Sequence, residues 1–144
     1  MIRRVAYLCM QATREGQASY AHVNEIINGL RRHGVEVDLY EPYWREGDQP
    51  PGLLGKAWGY LTVQCRLIFR LRRYDLLYIR SHFVAGLAIW AAKALDVPQV
   101  HEVNGPLEDL YVMYPWTQRL DGLLMALTRS QRRMASVEVA CRSA

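Results

Sequence analysis

The sequence predicts an α/β fold: a Rossmann-like, doubly wound parallel sheet in a single domain of 144 residues. Three observations predict it. Short β-rich runs alternate with longer stretches of helical period along the whole chain. No hairpin signal joins neighbouring strands, and strict alternation implies parallel pairing with helices on both faces. The composition is 51% hydrophobic and 22% charged, which is enough apolar material for one core and is not the composition of a disordered chain.

The first element is RRVAYLC (3–9), a β-rich run. MQATREGQAS (10–19) is polar and carries Gly16, so it reads as a loop. From Ser19, the residues Val23, Ile26, Ile27 and Leu30 recur at helical spacing. Arg31, Arg32 and His33 suit the negative end of the helix dipole, and Gly34 supplies the stop. VEVDLY (35–40) alternates as the second strand. EPYWREGDQPPG (41–52) is a loop closed by Pro50, Pro51 and Gly52. A helical pattern then runs from Leu53 to Arg73 through Leu54, Ala57, Trp58, Leu61, Cys65, Ile68 and Leu71. LLYIR (76–80) is strand three, and Val84 to Leu95 is a strongly apolar helix. PQVHEV (98–103) is strand four. Trp116 to Met134 is a helix with Leu120, Leu123, Leu124 and Leu127 on one side, and SVEVAC (136–141) is strand five.

The formal net charge is +4, carried mostly by arginine, since Lys56 and Lys93 are the only lysines. This balance suits anionic partners without choosing among them. Cys9, Cys65 and Cys141 are widely spaced and odd in number, which argues against a disulfide framework or a zinc site. No histidine–carboxylate set has metal-ligand spacing, and no GxSxG elbow is present. The start is not a signal peptide, and no window has about 18 apolar residues in a row. The chain therefore reads as cytoplasmic, with reduced cysteines.

Ligands of a doubly wound sheet bind beyond the C-terminal strand ends, where the strand order reverses. An order 3-2-1-4-5 puts that crevice between strands one and four, lined by the loops MQATREGQAS and HEVNGPLEDL. Gly16 and Gln17 then sit at a helix start that suits a phosphate, although a glycine before a helix is also ordinary turn chemistry. His101 and Glu102 are adjacent in a strand and so point to opposite faces, where either is a candidate acid–base group or a polar pair at a strand end. Asn104-Gly105-Pro106 makes a turn, and Glu108 and Asp109 precede or cap the next helix. Arg80, Ser81 and His82 follow strand three at the same rim, with His82 read as a surface-loop residue. His22 reads as a plain helical histidine.

Four segments together resemble the N-terminal, acceptor-side domain of family 4 glycosyltransferases, the retaining enzymes of the GT-B fold. They are RRVAYLC with the glycine loop after it, HVNEIINGLRRHGVEVDLYEP, YDLLYIRSHFVAGLAIWAAKALDVPQVHEVNGPLEDL and MASVEVACRSA. The resemblance covers nearly the whole chain and implies half of a GT-B enzyme. In that family the N-terminal domain mainly binds the acceptor, and the C-terminal domain grips the nucleotide-sugar donor. The donor is a co-substrate, and no cofactor or metal is implied. The resemblance carries the phosphate-facing loop to Gly16 and Gln17, and the strand-four position to His101 or Glu102. Arg80, Ser81, Asn104 and Gly105 complete the implied substrate-binding set, with His101 and Glu102 as the catalytic candidates. Glu15 stands where the family often has the first glycine of a pair.

The implied donor-binding C-terminal domain is absent from residues 1–144, which implies a fragment, a truncation or one subunit of a split enzyme. Such a half is expected to be inactive alone. The implied partners are a sugar or lipid-linked acceptor and the missing domain or subunit, with no nucleic acid. Two other readings stay open. One is a stand-alone nucleotide-binding module, for which Glu41 is the one near match to an acidic residue after strand two. The other is a membrane-surface module. Residues 53–73 mix Leu, Trp, Ile and Phe with Arg66, Arg70, Arg72 and Arg73, a pattern that packs on a sheet or lies on anionic lipid at the inner membrane face.

Overall fold

A computed structural model describes residues 1–43, 52–80, 82–103 and 115–140. Five strands form one parallel sheet: β1 (Arg4–Cys9), β2 (Glu36–Tyr40), β3 (Leu76–Arg80), β4 (Gln99–Val103) and β5 (Val137–Ala140). The crossovers carry α1 (Ala18–Arg32), α2 (Leu53–Ile68), α3 (Gly86–Ala94) and α4 (Asp121–Arg133). Short 3-10 turns extend three of them, at Leu71–Arg73, Phe83–Ala85 and Pro115–Leu120. Every strand and helix read from the sequence is present. The long pattern from Leu53 to Arg73 divides into α2 and one of these turns.

The strand order is β2-β1-β3-β4-β5, which corrects the expected 3-2-1-4-5. β3 lies between β1 and β4, so those two strands are not neighbours. The composition of β2 gives the physical reason. Glu36 and Asp38 are both exposed, and an edge strand tolerates such charges where an interior strand does not. The order therefore reverses at β1, which takes β2 on one edge and β3 on the other.

Right-handed crossovers then assign the helices to faces. Only α1 connects strands in the leftward sense, so among the described elements it packs alone on its face. Val23 and Ile27 of α1 meet Val5, Tyr7, Cys9 and Val37 there, with Leu76 and Tyr78 at the margin. The opposite face carries the larger cluster, in which Ala6, Leu8, Leu77 and Ile79 meet Val63 and Leu67 of α2 and Ala88, Ile89 and Ala92 of α3. Farther along the α1 face no described element covers the sheet. Val137 and Val139 are exposed, and Val100 is half-buried.

The end of α1 has a local cause. α1 stops at Gly34 with φ +77°, and Val35 N–H bonds back to Leu30 C=O at 3.2 Å. In α4 only Leu124 of the predicted leucine side is buried, while Leu120 and Leu123 are exposed. The inward face of α2 is Tyr60, Val63, Gln64 and Leu67. The predicted stripe of Leu54, Trp58 and Leu61 lies on the other side of the helix and is exposed.

Gln64 joins α2 to the start of α3. Its Nε2 donates to Tyr60 O (3.2 Å) and Val84 O (3.0 Å), and its Oε1 accepts from Ala88 N (3.2 Å). Substituting leucine for Gln64 leaves two of these buried backbone groups unpaired. We expect Gln64→Leu to lower stability by about 2 kcal/mol. A urea titration checks it, through a lower midpoint at unchanged slope.

Candidate functional site

The C-terminal ends of β1, β3 and β4 share one rim. Cys9 is in register with Arg80, and Arg80 with Glu102. Strand alternation turns the side chains of Tyr7, Arg80 and Glu102 toward the α1 face. The same alternation turns His101 toward the α3 face, in register with the core residue Ile79. This settles which of the adjacent pair looks toward which helix.

Glu102 is 1% exposed and lies at the centre of a polar cluster. Tyr7 Oη donates to its Oε2 at 3.1 Å. His22 Nε2, from the second turn of α1, donates to its Oε1 at 2.9 Å. Arg80 Nε stands 3.9 Å from Oε1, a charge contact longer than a hydrogen bond. Three elements thus converge on one carboxylate. Burial, then the charge of Glu102, push the Tyr7 phenol well above its ordinary value, so it stays protonated and keeps donating. Tyr78 of β3 stacks on Tyr7 at 4.9 Å between ring centroids and fixes that ring.

His101 is equally buried, but in the core. Its Nε2 pairs with Gln99 Oε1 at 3.1 Å, and Gln99 Nε2 donates to Ile89 O at 2.9 Å. Burial pushes the His101 imidazole below its ordinary value, against a smaller opposite effect of Glu138. Gly16 has φ +87°, the left-handed region that favours glycine, and a Cβ there meets open space within 4 Å. Its requirement is therefore conformational. Gln17 is the N-cap of α1 and makes no side-chain cap bond. Ser81, Asn104, Gly105, Pro106, Glu108 and Asp109 lie outside the described residues.

The loop after β1 is anchored elsewhere. Glu41 Oε2, just past β2, accepts from Thr13 N at 3.0 Å and Thr13 Oγ1 at 2.7 Å. His82 proves to be a structural residue: its Nδ1 accepts from Val84 N at 3.3 Å, and its ring stacks on Phe83 at 4.7 Å. Two shallow hollows lie at the N-terminal strand ends, around Asp75 with Val97 and around Gly34 with Val37, on the rim opposite Glu102. Among the described residues no group of three His, Cys, Asp or Glu side chains is placed to hold a metal.

Sequence reasoning missed Tyr7 and the role of His22. The available signal was position. His22 stands one turn into the helix that follows β1, and the α1-facing residue nearest the end of β4 is Glu102.

Residues 21–143 match the family described as Glycosyltransferase Family 4. The chain belongs to that family. Among solved structures it is similar to the crystal structure of Acinetobacter baumannii MurG, with a TM-score of 0.57 at 12% sequence identity. The match covers 98% of this chain and 42% of that one, so the chain spans less than half the length of that structure. The likeness is one of fold, and the shared element is the Rossmann-like sheet of a GT-B half. No curated protein matches the sequence.

Burial pushes the His82 imidazole down to about 4 from 6.5. Between those values the unfolded chain binds a proton that the folded chain refuses, so stability rises with pH across that window. We expect an acid-side loss on the order of 2–3 kcal/mol as pH falls from about 6.5 to 4. His82→Asn, which keeps an oxygen able to cap Val84 N, should flatten the curve there. Chemical denaturation at a series of pH values measures both.

Proposed function

We propose that this chain is the acceptor-binding half of a glycosyltransferase that moves a sugar from a nucleotide-sugar donor to an acceptor. The observation that carries this reading is the buried Glu102 carboxylate, held by Tyr7 and His22 beside Arg80 at the C-terminal rim. Family membership supplies the class of reaction, and the rim is where open α/β sheets bind ligands. Of the two candidate catalytic residues, Glu102 is assigned to the site as the group that orients His22 and Arg80. His101 supports β4 from the opposite face.

A donor-binding domain or subunit completes the cleft in this proposal, and the chain alone is inactive because the reacting groups are not held together. The nucleotide-module reading has less support, because Glu41, its candidate ribose ligand, is already bonded to Thr13.

The test is a transferase assay on the chain alone and on the chain joined to a donor-binding half. We expect turnover only from the assembled enzyme. Glu102→Gln should lower its kcat/KM at least tenfold while circular dichroism stays unchanged. Full turnover by the isolated chain, or by the Glu102→Gln enzyme, overturns the proposal.

A specific observation favours a peripheral membrane contact as a second property of the same half. Leu54, Trp58 and Leu61 of α2 are exposed away from its packed face, Leu53 is exposed at its first residue, and Phe69 follows, 88% exposed. Arg66, Arg70, Arg72 and Arg73 are exposed beside them. Apolar insertion flanked by arginine suits anionic lipid, at about 1 kcal/mol for each basic residue near the surface. No helix among the described residues is long and apolar enough to cross a membrane. We expect co-sedimentation with phosphatidylglycerol vesicles at low salt, weaker at high salt, and reduced about tenfold by Trp58→Glu. Failure to bind at low salt removes this reading.

A further inference from the structure

Arg80 is the last residue of β3, beside the β1–β3 boundary where the strand order reverses. Its side chain is only 18% exposed. Its Nη1 is buried and has no hydrogen-bond partner, the only such side-chain atom among the described residues. The obvious partner is already engaged. Glu102 Oε2 accepts from Tyr7 and Oε1 from His22, at 3.1 and 2.9 Å, while Arg80 Nε remains 3.9 Å away. Glu102 thus offsets the charge of Arg80 without taking up its N–H groups.

A buried, unpaired donor on a charged group costs roughly 1–3 kcal/mol or more. Proteins retain such a group where something else completes it. The guanidinium fork matches an oxyanion with two or three equivalent oxygens, a carboxylate or a phosphate, and of these a nucleotide-sugar substrate supplies phosphate. Three features point the same way: the group is arginine, it is held at the rim where α/β sheets bind ligands, and the partner that holds it leaves its outer nitrogen unused.

We propose that Arg80 Nη1 binds a phosphate oxygen of the substrate, with Glu102 and Tyr7 acting as positioning residues that hold the guanidinium in place. This rests on the glycosyltransferase reading and deepens it by naming the chemistry the site recognises: a phosphate monoester or a diphosphate. Two substrates carry such a group, the nucleotide-sugar donor and a phosphate-bearing acceptor.

Nitrogen-15 NMR of the full chain tests this, following the Arg80 side-chain signal, which is assigned by its loss in Arg80→Lys. The titrants are inorganic pyrophosphate, UDP and octyl phosphate below its micelle concentration. We expect a saturable shift of the Arg80 signal with pyrophosphate. We expect affinity at least tenfold weaker in Arg80→Gln and an intermediate loss in Arg80→Lys, which keeps the charge but not the fork. Stronger binding of UDP assigns the phosphate to the donor, and stronger binding of octyl phosphate to the acceptor. Absence of saturable binding to all three, or equal affinity in Arg80→Gln, overturns the proposal. Should Arg80→Gln fail to fold, the wild-type titration and Arg80→Lys decide. Phosphate binding that persists while the assembled enzyme transfers nothing counts against the glycosyltransferase reading alone. Undiminished transfer by an Arg80→Gln enzyme counts against the phosphate site alone.

Discussion

The handedness of the crossovers, together with the reversal of strand order at β1, determines most of what this molecule presents. A right-handed connection leaves a helix on one face when the chain steps one way and on the other face when it steps back. Only the step from β1 to β2 goes leftward here, so α1 stands alone on its face among the described elements. Its N-terminal turns reach over β1 toward the ends of β3 and β4. That placement is why His22, a residue of the first crossover, meets a carboxylate of the fourth strand. It is also why Val137 and Val139 remain exposed on the same side, beyond the reach of α1.

A buried carboxylate in such a place requires partners, because an isolated charge in a low-dielectric interior is far costlier than a paired one. Glu102 finds them on α1, β1 and β3, which makes the cluster a tie between those elements and β4. The polar residues of the other face work differently. Gln64 and Gln99 bond mostly to backbone groups at helix and turn boundaries, and His101 bonds to Gln99. They fix how α2 and α3 sit on the sheet. Two neighbouring residues of β4 therefore have different tasks because the pleat separates them, His101 in packing and Glu102 at the rim.

The alternation of elements was legible because it is written in local period. The strands at 76–80 and near 99–103, and the stop at Gly34, follow from β-rich runs and turn chemistry that need no tertiary context. Strand order was not legible in the same way. It depends on which edge of β1 receives β3, and the pertinent hint, the exposed Glu36 and Asp38 of an edge strand, is a matter of charge and not of period. The opposed directions of His101 and Glu102 could be read from alternation alone. Which of them meets α1 could not, since that needs the helix assigned to a face. Tyr7 was hidden for another reason: in sequence it is one more aromatic in a β run, and only pairing across β3 brings its hydroxyl to Glu102.

α2 shows how a correct periodicity can name the wrong face. Both sides of this helix are apolar, so the stripe of Leu54, Trp58 and Leu61 satisfies helical spacing as well as the stripe of Tyr60, Val63 and Leu67. Packing chose the second, because it carries Gln64, whose amide closes the junction with α3, and the β-branched Val63, which fits the sheet core. The first stripe is then left in water, with Trp58 68% exposed. A solvated helix face normally carries charge, and a leucine–tryptophan stripe there has a standing free-energy cost that arginines alongside it do not remove. The arginines cluster toward the C-terminal end of the same helix and the turn after it. The surface is therefore apolar at its centre and cationic at one end.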